Sequence, residues 1–122
     1  QTLREQAWHL FLAFLKEEKI SPHMKQFSSL RTAVKEELED VFRILSSFCR
    51  DVILIKEGAD RELLLNPDFE EDLLKIAGAI TLEQALEILS RIDFAATGLK
   101  KNLNMNILLS AMFSKFLEWD HV

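Results

Sequence analysis

From Leu30 to Ile55 the large apolar residues recur at helical intervals: Leu30, Val34, Leu38, Val41, Leu45, Phe48, Val52 and Ile55 follow one another at steps of three or four. Such steps place side chains on one face of an α-helix. At ~1.5 Å per residue the stretch from Leu30 to Lys56 runs roughly 40 Å, long enough to be the spine of a small domain. Lys35, Glu36, Glu37, Glu39, Asp40 and Arg43 make the opposite face polar through the first half. From Phe48 to Ile55 that division fades, because Phe48, Cys49, Val52, Ile53, Leu54 and Ile55 are apolar most of the way round, which predicts burial on more than one side.

The remaining segments read as helices that cover this spine. Residues 3–20 form a first amphipathic helix with Leu3, Ala7, Leu10, Phe11, Phe14 and Leu15 on one face, Thr2 as its cap, and an end at Ile20-Ser21-Pro22. Trp8 and Leu12 widen its apolar surface beyond a single stripe. The spine closes at Lys56-Glu57-Gly58, where glycine suits the left-handed position after a helix. Leu63, Leu64 and Leu65 make an apolar segment too short for a helix. Asn66-Pro67 then reads as an N-cap followed by proline at the first helical position, opening a third helix over about 67–79 with Phe69, Leu73, Ile76, Ala77 and Ile80 buried. Thr81 and Gln84 have capping-box spacing for a fourth helix over 82–100, with Leu82, Ala85, Leu86, Leu89, Ile92 and Ala96 as its stripe. Asn102 to Asn106 is a tight connection where asparagine caps or adopts positive φ. A last helix covers roughly 105–119 and is apolar over most of its circumference. With no period-two alternation and only three glycines, the fold class is all-α: a five-helix bundle in one domain over residues 1–122.

Composition narrows the function. A chain of 122 residues with nine Phe and two Trp has large core pieces and needs no staple. Its single cysteine, Cys49, rules out a disulfide framework, reads as a buried inert thiol and fits a reducing, cytoplasmic setting. The net charge of −5 argues against a direct grip on nucleic acid. No apolar run approaches the ~20 residues a bilayer span requires, and there is no signal-peptide pattern. Phosphate-cradling glycine motifs and nucleophile elbows are absent. His9, His23 and His121 fall on separate segments with no second ligand at metal spacing, and Glu5-His9 lacks the repeated spacing of a diiron bundle. Catalytic, cofactor and metal residues are therefore expected to be none, and Glu36, Glu37, Glu39 and Asp40 read as a solvated face. The positive signal is a surplus of apolar surface on the first helix, the last helix and the end of the spine. It marks either burial within the bundle or a face for other proteins.

Two stretches resemble a known family. Arg50-Asp51-Val52-Ile53-Leu54-Ile55-Lys56-Glu57-Gly58, followed by Leu64-Leu65-Asn66-Pro67-Asp68, resembles the "RD-apolar-K-G … L-x-N-x-D" segment in the C-terminal domain of bacterial DNA polymerase III clamp-loader subunits, delta prime above all. Asn102-Leu103-Asn104-Met105-Asn106-Ile107-Leu108-Leu109 is similar to that family's "N-x-N-x-x-L-x-L-E" signature. Two positions depart from the pattern: Ser110 stands where the family has Glu, and Phe48-Cys49 replaces a Trp-containing pair.

The resemblance implies a collar domain that packs beside equivalent domains of the other subunits and holds the clamp-loader ring together during sliding-clamp loading. It implies that ATP binding belongs to an N-terminal AAA+ region, so that this piece carries no cofactor and no activity of its own within the DNA polymerase III holoenzyme. The start at Gln1 without Met, directly into a helical pattern, predicts a fragment, and the end at Val122 suits delta prime better than a tau-type subunit. The expected partners are other clamp-loader subunits, without nucleic acid, membrane or small-molecule substrate. Candidate interface residues are Trp8, Leu12, Leu108, Met112 and Phe116. The family-motif residues are Arg50, Asp51, Lys56, Gly58, Asn66, Asp68, Asn102 and Asn104. The alternatives are a stand-alone helical module that binds a partner helix, and a carboxylate metalloenzyme bundle.

Overall fold

The computed structural model describes residues 2–15 and 35–102. Four α-helices lie among these residues: α1 (Leu3–Leu15), α2 (Lys35–Lys56), α3 (Glu70–Ala79) and α4 (Leu82–Lys100). Two 3₁₀ turns, Arg61–Leu63 and Pro67–Phe69, link α2 to α3. The described residues contain no strand, so the all-α reading holds, with four helices seen where five were expected. The fifth, over 105–119, lies outside the described residues, as do residues 16–20 of the first predicted helix and 30–34 of the spine.

Helix α2 is the spine that its periodicity predicts. Leu38, Val41, Leu45, Phe48 and Val52 are buried, joined by Phe42 and Cys49. The other three helices all pack on it, α4 most extensively. Residue pairings show that α4 runs antiparallel to α2. Lys35 Nζ donates to Asn102 Oδ1 at 3.0 Å, Ser46 Oγ to Asp93 Oδ1 at 3.4 Å, and Cys49 Sγ to the Ala85 carbonyl at 3.1 Å. Helix α1 adds Ala7, Leu10, Phe11 and Ala13 to the core, and α3 adds Leu73 and Ala77.

Local chemistry sets the helix ends. After α2, Gly58 takes φ +73°, while its N–H donates to Ile55 O at 3.1 Å and the Ala59 N–H to Leu54 O at 3.0 Å. That pair of bonds is a Schellman closure, and it needs a residue free of a Cβ penalty at positive φ. Before α4, Thr81 Oγ1 accepts from the Gln84 N–H at 3.1 Å and Gln84 Oε1 accepts from the Thr81 N–H at 2.9 Å, completing the capping box. After α4, Asn102 sits at φ +61°.

Two expectations need correction. The buried face of α4 is Ala85, Ile88, Ile92, Ala95 and Leu99, whereas Leu86 is 48% exposed and Leu82, Leu89 and Ala96 are half-buried. This helix carries apolar residues on most sides, so periodicity left its phase open; the small side chains of Ala85 and Ala95 are the ones that let it approach α2. Asn66 also occupies the cap position but caps nothing with its side chain, which is committed elsewhere.

Phe48 is fully buried at the meeting of α1, α2 and the turn before α3. Phe48→Ala should lower the free energy of unfolding by about 3–5 kcal/mol, whereas Thr81→Ala should cost only about 1 kcal/mol. Urea titrations followed by circular dichroism measure both; near-equal losses would contradict this account of the core.

Candidate interaction surface

The centre of the domain's chemistry is a buried carboxylate. Asp51 lies on α2 with none of its surface exposed. Its Oδ1 accepts from the Leu65 N–H at 2.8 Å, and its Oδ2 accepts from the Asn66 N–H at 2.8 Å and from Asn66 Nδ2 at 3.0 Å. Asn66 Nδ2 also donates to Ser47 Oγ at 3.1 Å. One helical carboxylate therefore holds the loop backbone that would otherwise be buried without partners.

The same loop binds the first helix. Arg4 Nη2 donates to Asn66 Oδ1 at 3.0 Å and to Asp68 Oδ1 at 2.9 Å, while Nη1 donates to Asp68 Oδ2 at 2.7 Å. This forked contact holds the Asp68 carboxyl below the usual carboxylate range and raises Arg4 above its ordinary value, each chiefly through the hydrogen bonds they share. The Arg4 guanidinium also lies 5.0 Å from the Phe69 ring centre. Beneath it, Trp8 packs against Phe69, Phe48 and Phe11 with ring centroids 4.7, 5.0 and 5.9 Å away.

With the loop pinned, its three leucines separate: Leu64 turns inward and is buried, whereas Leu63 and Leu65 are each 59% exposed. On α4, Leu86 and Phe94 are also exposed, Phe94 by 58%. These four are the large apolar side chains that the described part of the molecule presents to its surroundings.

The sequence-predicted residues fall into distinct places. Trp8 is half-buried within the aromatic cluster, and Leu12 is half-buried on α1. Leu108, Met112, Phe116 and Asn104 lie outside the described residues. Of the motif positions, Asp51, Asn66 and Asp68 belong to one hydrogen-bonded network. Lys56 donates to the Ala77 carbonyl at 2.8 Å, tying α2 to α3. Gly58 and Asn102 are the two positive-φ positions, and Arg50 is exposed. Sequence reasoning missed the buried Arg91, whose guanidinium donates to Glu87 one turn earlier on α4; the i,i+4 acid–base spacing is the signal that would have flagged the pair.

Elsewhere the chemistry is sparse. Among the described residues no three His, Cys, Asp or Glu side chains gather as metal ligands. Glu5 and His9 are both exposed on α1. Cys49 is buried, and its thiol is pushed up to about 12, first by loss of solvation and second by the nearby Asp93 charge. No described helix is long and apolar enough to cross a membrane.

The family described as DNA polymerase III, delta subunit, C terminal, matches residues 3–118. The chain belongs to this family. It is thus a clamp-loader subunit domain, and the match does not separate delta from delta prime. No curated protein and no solved structure matches the chain. Within this delta-family domain, Asp51, Asn66 and Asp68 belong to the network that fixes the loop between α2 and α3, while Arg50 stays outside it.

Two outcomes follow from this geometry. Asp51→Ala leaves the Leu65 and Asn66 N–H groups unpaired and should cost about 3 kcal/mol, with faster hydrogen exchange at those two amides; unchanged exchange there would show that the carboxylate does not hold the loop. For Cys49, a folded-state value of about 12 against an ordinary thiol near 8.5–9 means that the folded state retains a proton the unfolded state releases. The stabilising contribution is complete below pH ~8.5 and is lost as pH rises from there toward 12, by up to ~1.4 kcal/mol per pH unit. The difference in unfolding free energy between the native chain and Cys49→Ala, followed from pH 7 to 10.5, should narrow accordingly.

Proposed function

We propose that this domain is a collar piece of a clamp loader, of the delta-prime type, which packs side by side with the equivalent domains of neighbouring subunits. The observation that carries the reading is the family match across residues 3–118. It is supported by the residues that resemble delta prime, Arg50-Asp51 through Asp68 and Asn102 through Leu109, and by the apolar side chains at the surface. A specific subunit contact needs roughly 800 Å² from each partner, with apolar groups at its centre. Leu63, Leu65, Leu86 and Phe94 are exposed groups of that kind.

In this reading the domain acts through buried area alone, without a cofactor, and ATP is handled by other parts of the loader. Leu12, Leu108, Met112 and Phe116 contribute to the subunit contact. Trp8 supports it from beneath, since its ring is already packed against three phenylalanines.

Leu12→Asp, Leu108→Asp, Met112→Asp and Phe116→Asp should each reduce incorporation into a reconstituted clamp loader at least tenfold, as judged by size-exclusion chromatography with light scattering, while far-ultraviolet circular dichroism stays unchanged. Loss of helicity in every variant would place those residues in the core. Failure of the native chain to enter a loader would remove the collar reading altogether.

A further inference from the structure

A cleft of about 710 Å³ lies beside the pinned loop, bounded by Arg4 of α1, Arg43, Ile44 and Arg50 of α2, and Leu65 and Asn66 of the loop. Three guanidiniums border one depression on a chain whose net charge is −5. They are not equally engaged. Arg4 is held in its fork on Asp68. Arg43 makes one long contact, 3.4 Å to Asp40, with both side chains at least half exposed, an arrangement that solvent or a ligand readily replaces. The Arg50 side chain makes no ion pair or hydrogen bond among the described residues.

We propose that this cleft binds an extended acidic segment of a partner protein, with two carboxylates that flank apolar side chains. Arg43 and Arg50 are seven residues apart on one helix, so they share a face and stand ~10 Å apart along its axis. An extended peptide in the polyproline II conformation advances ~3.1 Å per residue with three residues per turn, so carboxylates three positions apart lie on one face, ~9 Å apart, and reach the two guanidiniums. Each guanidinium presents a planar fork that a carboxylate matches with two parallel hydrogen bonds. Between them, half-buried Ile44 and 59%-exposed Leu65 offer apolar contact to the intervening residues. That mixture of apolar floor and a few convergent polar groups is the usual build of a binding cleft.

The surroundings argue against a nucleic-acid backbone as occupant. Such a chain gains affinity by having many phosphates neutralised in sequence. Among the described residues the surface leading to Arg43 along α2 is acidic, with exposed Glu36 and Glu37 and the half-buried Glu39 and Asp40 preceding it. The cleft shares only Leu65 with the apolar groups assigned to the subunit contact, and its occupancy is measurable on the isolated chain.

The test is fluorescence anisotropy of a labelled Gly-Ser-Asp-Leu-Leu-Asp-Ser-Gly peptide with the full chain at low salt. Saturable binding is expected, and Arg43→Glu and Arg50→Glu should each weaken it about tenfold or more without altering helicity or the denaturation midpoint. Arg50→Lys should keep part of the affinity, since a point charge replaces the fork. The same peptide with Asn in place of both Asp should bind at least tenfold more weakly. The proposal is overturned if no saturable binding occurs below ~1 mM, if the Asn peptide binds equally well, or if both charge reversals leave binding unchanged. It is also overturned if inorganic phosphate displaces the peptide at equal concentration, or if a single-stranded oligonucleotide binds more tightly through the same arginines. The first of these two results would reduce the cleft to a simple anion site, and the second would assign it to nucleic acid.

Discussion

The Asp51 carboxylate is the interaction on which the arrangement of this domain turns. Withdrawing a carboxylate from water is costly, and the cost is tolerable here because two backbone N–H groups and a side-chain amide all point at it. The consequence reaches well past one residue. Holding Leu65 and Asn66 against α2 fixes where Pro67 begins its turn and hence where Phe69 enters the aromatic cluster with Trp8 and Phe48. Arg4 then reads the far side of Asn66 together with Asp68, so α1 is attached to the same loop. Three segments of the chain are brought into register around one charge.

How much of this was legible in the sequence depends on whether the signal was local. The Thr81–Gln84 capping box, the Gly58 closure and the positive-φ asparagine after α4 are short-range devices, and each is found where its residues predicted it. The spine was equally legible, because polar residues border its stripe and fix its phase. The α4 stripe was misphased for the opposite reason: Leu86 and Phe94 interrupt the polar side, and only contact with α2 selects Ala85, Ile88 and Ile92 as the buried set. Asn66 before Pro67 looked like a cap because that is its commonest local use. Its side chain was claimed by Asp51 and Ser47, fifteen and nineteen residues earlier in the chain, and such distant partners leave no mark on local spacing.

Trp8 carries a similar lesson for the candidate interface. On a helical wheel it extends the apolar surface of α1 past what one neighbouring helix covers, which suggests an external partner. The fold supplies an internal one, since the 3₁₀ turn brings Phe69 to its face. A short turn with one aromatic residue at its end is easily overlooked as a covering element. The surplus apolar surface of the described residues is therefore concentrated on Leu63, Leu65, Leu86 and Phe94 rather than on Trp8.

The loop and the cleft are linked through neighbouring residues with opposite fates. Arg50 and Asp51 are consecutive on α2, about 100° apart around its axis, so that one faces outward as the other is buried. Leu64 and Leu65 divide in the same manner on the loop. The inward pair holds the loop shut, and the outward pair borders the cleft. A segment that contacted Leu65 and Arg50 together would rest on the loop position that Asp51 sets, and by mass action it would add to the stability of the folded state. The carboxylate inside and the guanidinium outside thus serve one arrangement, in which Asp51 sets the position of the loop that carries Leu65 to the cleft beside Arg50.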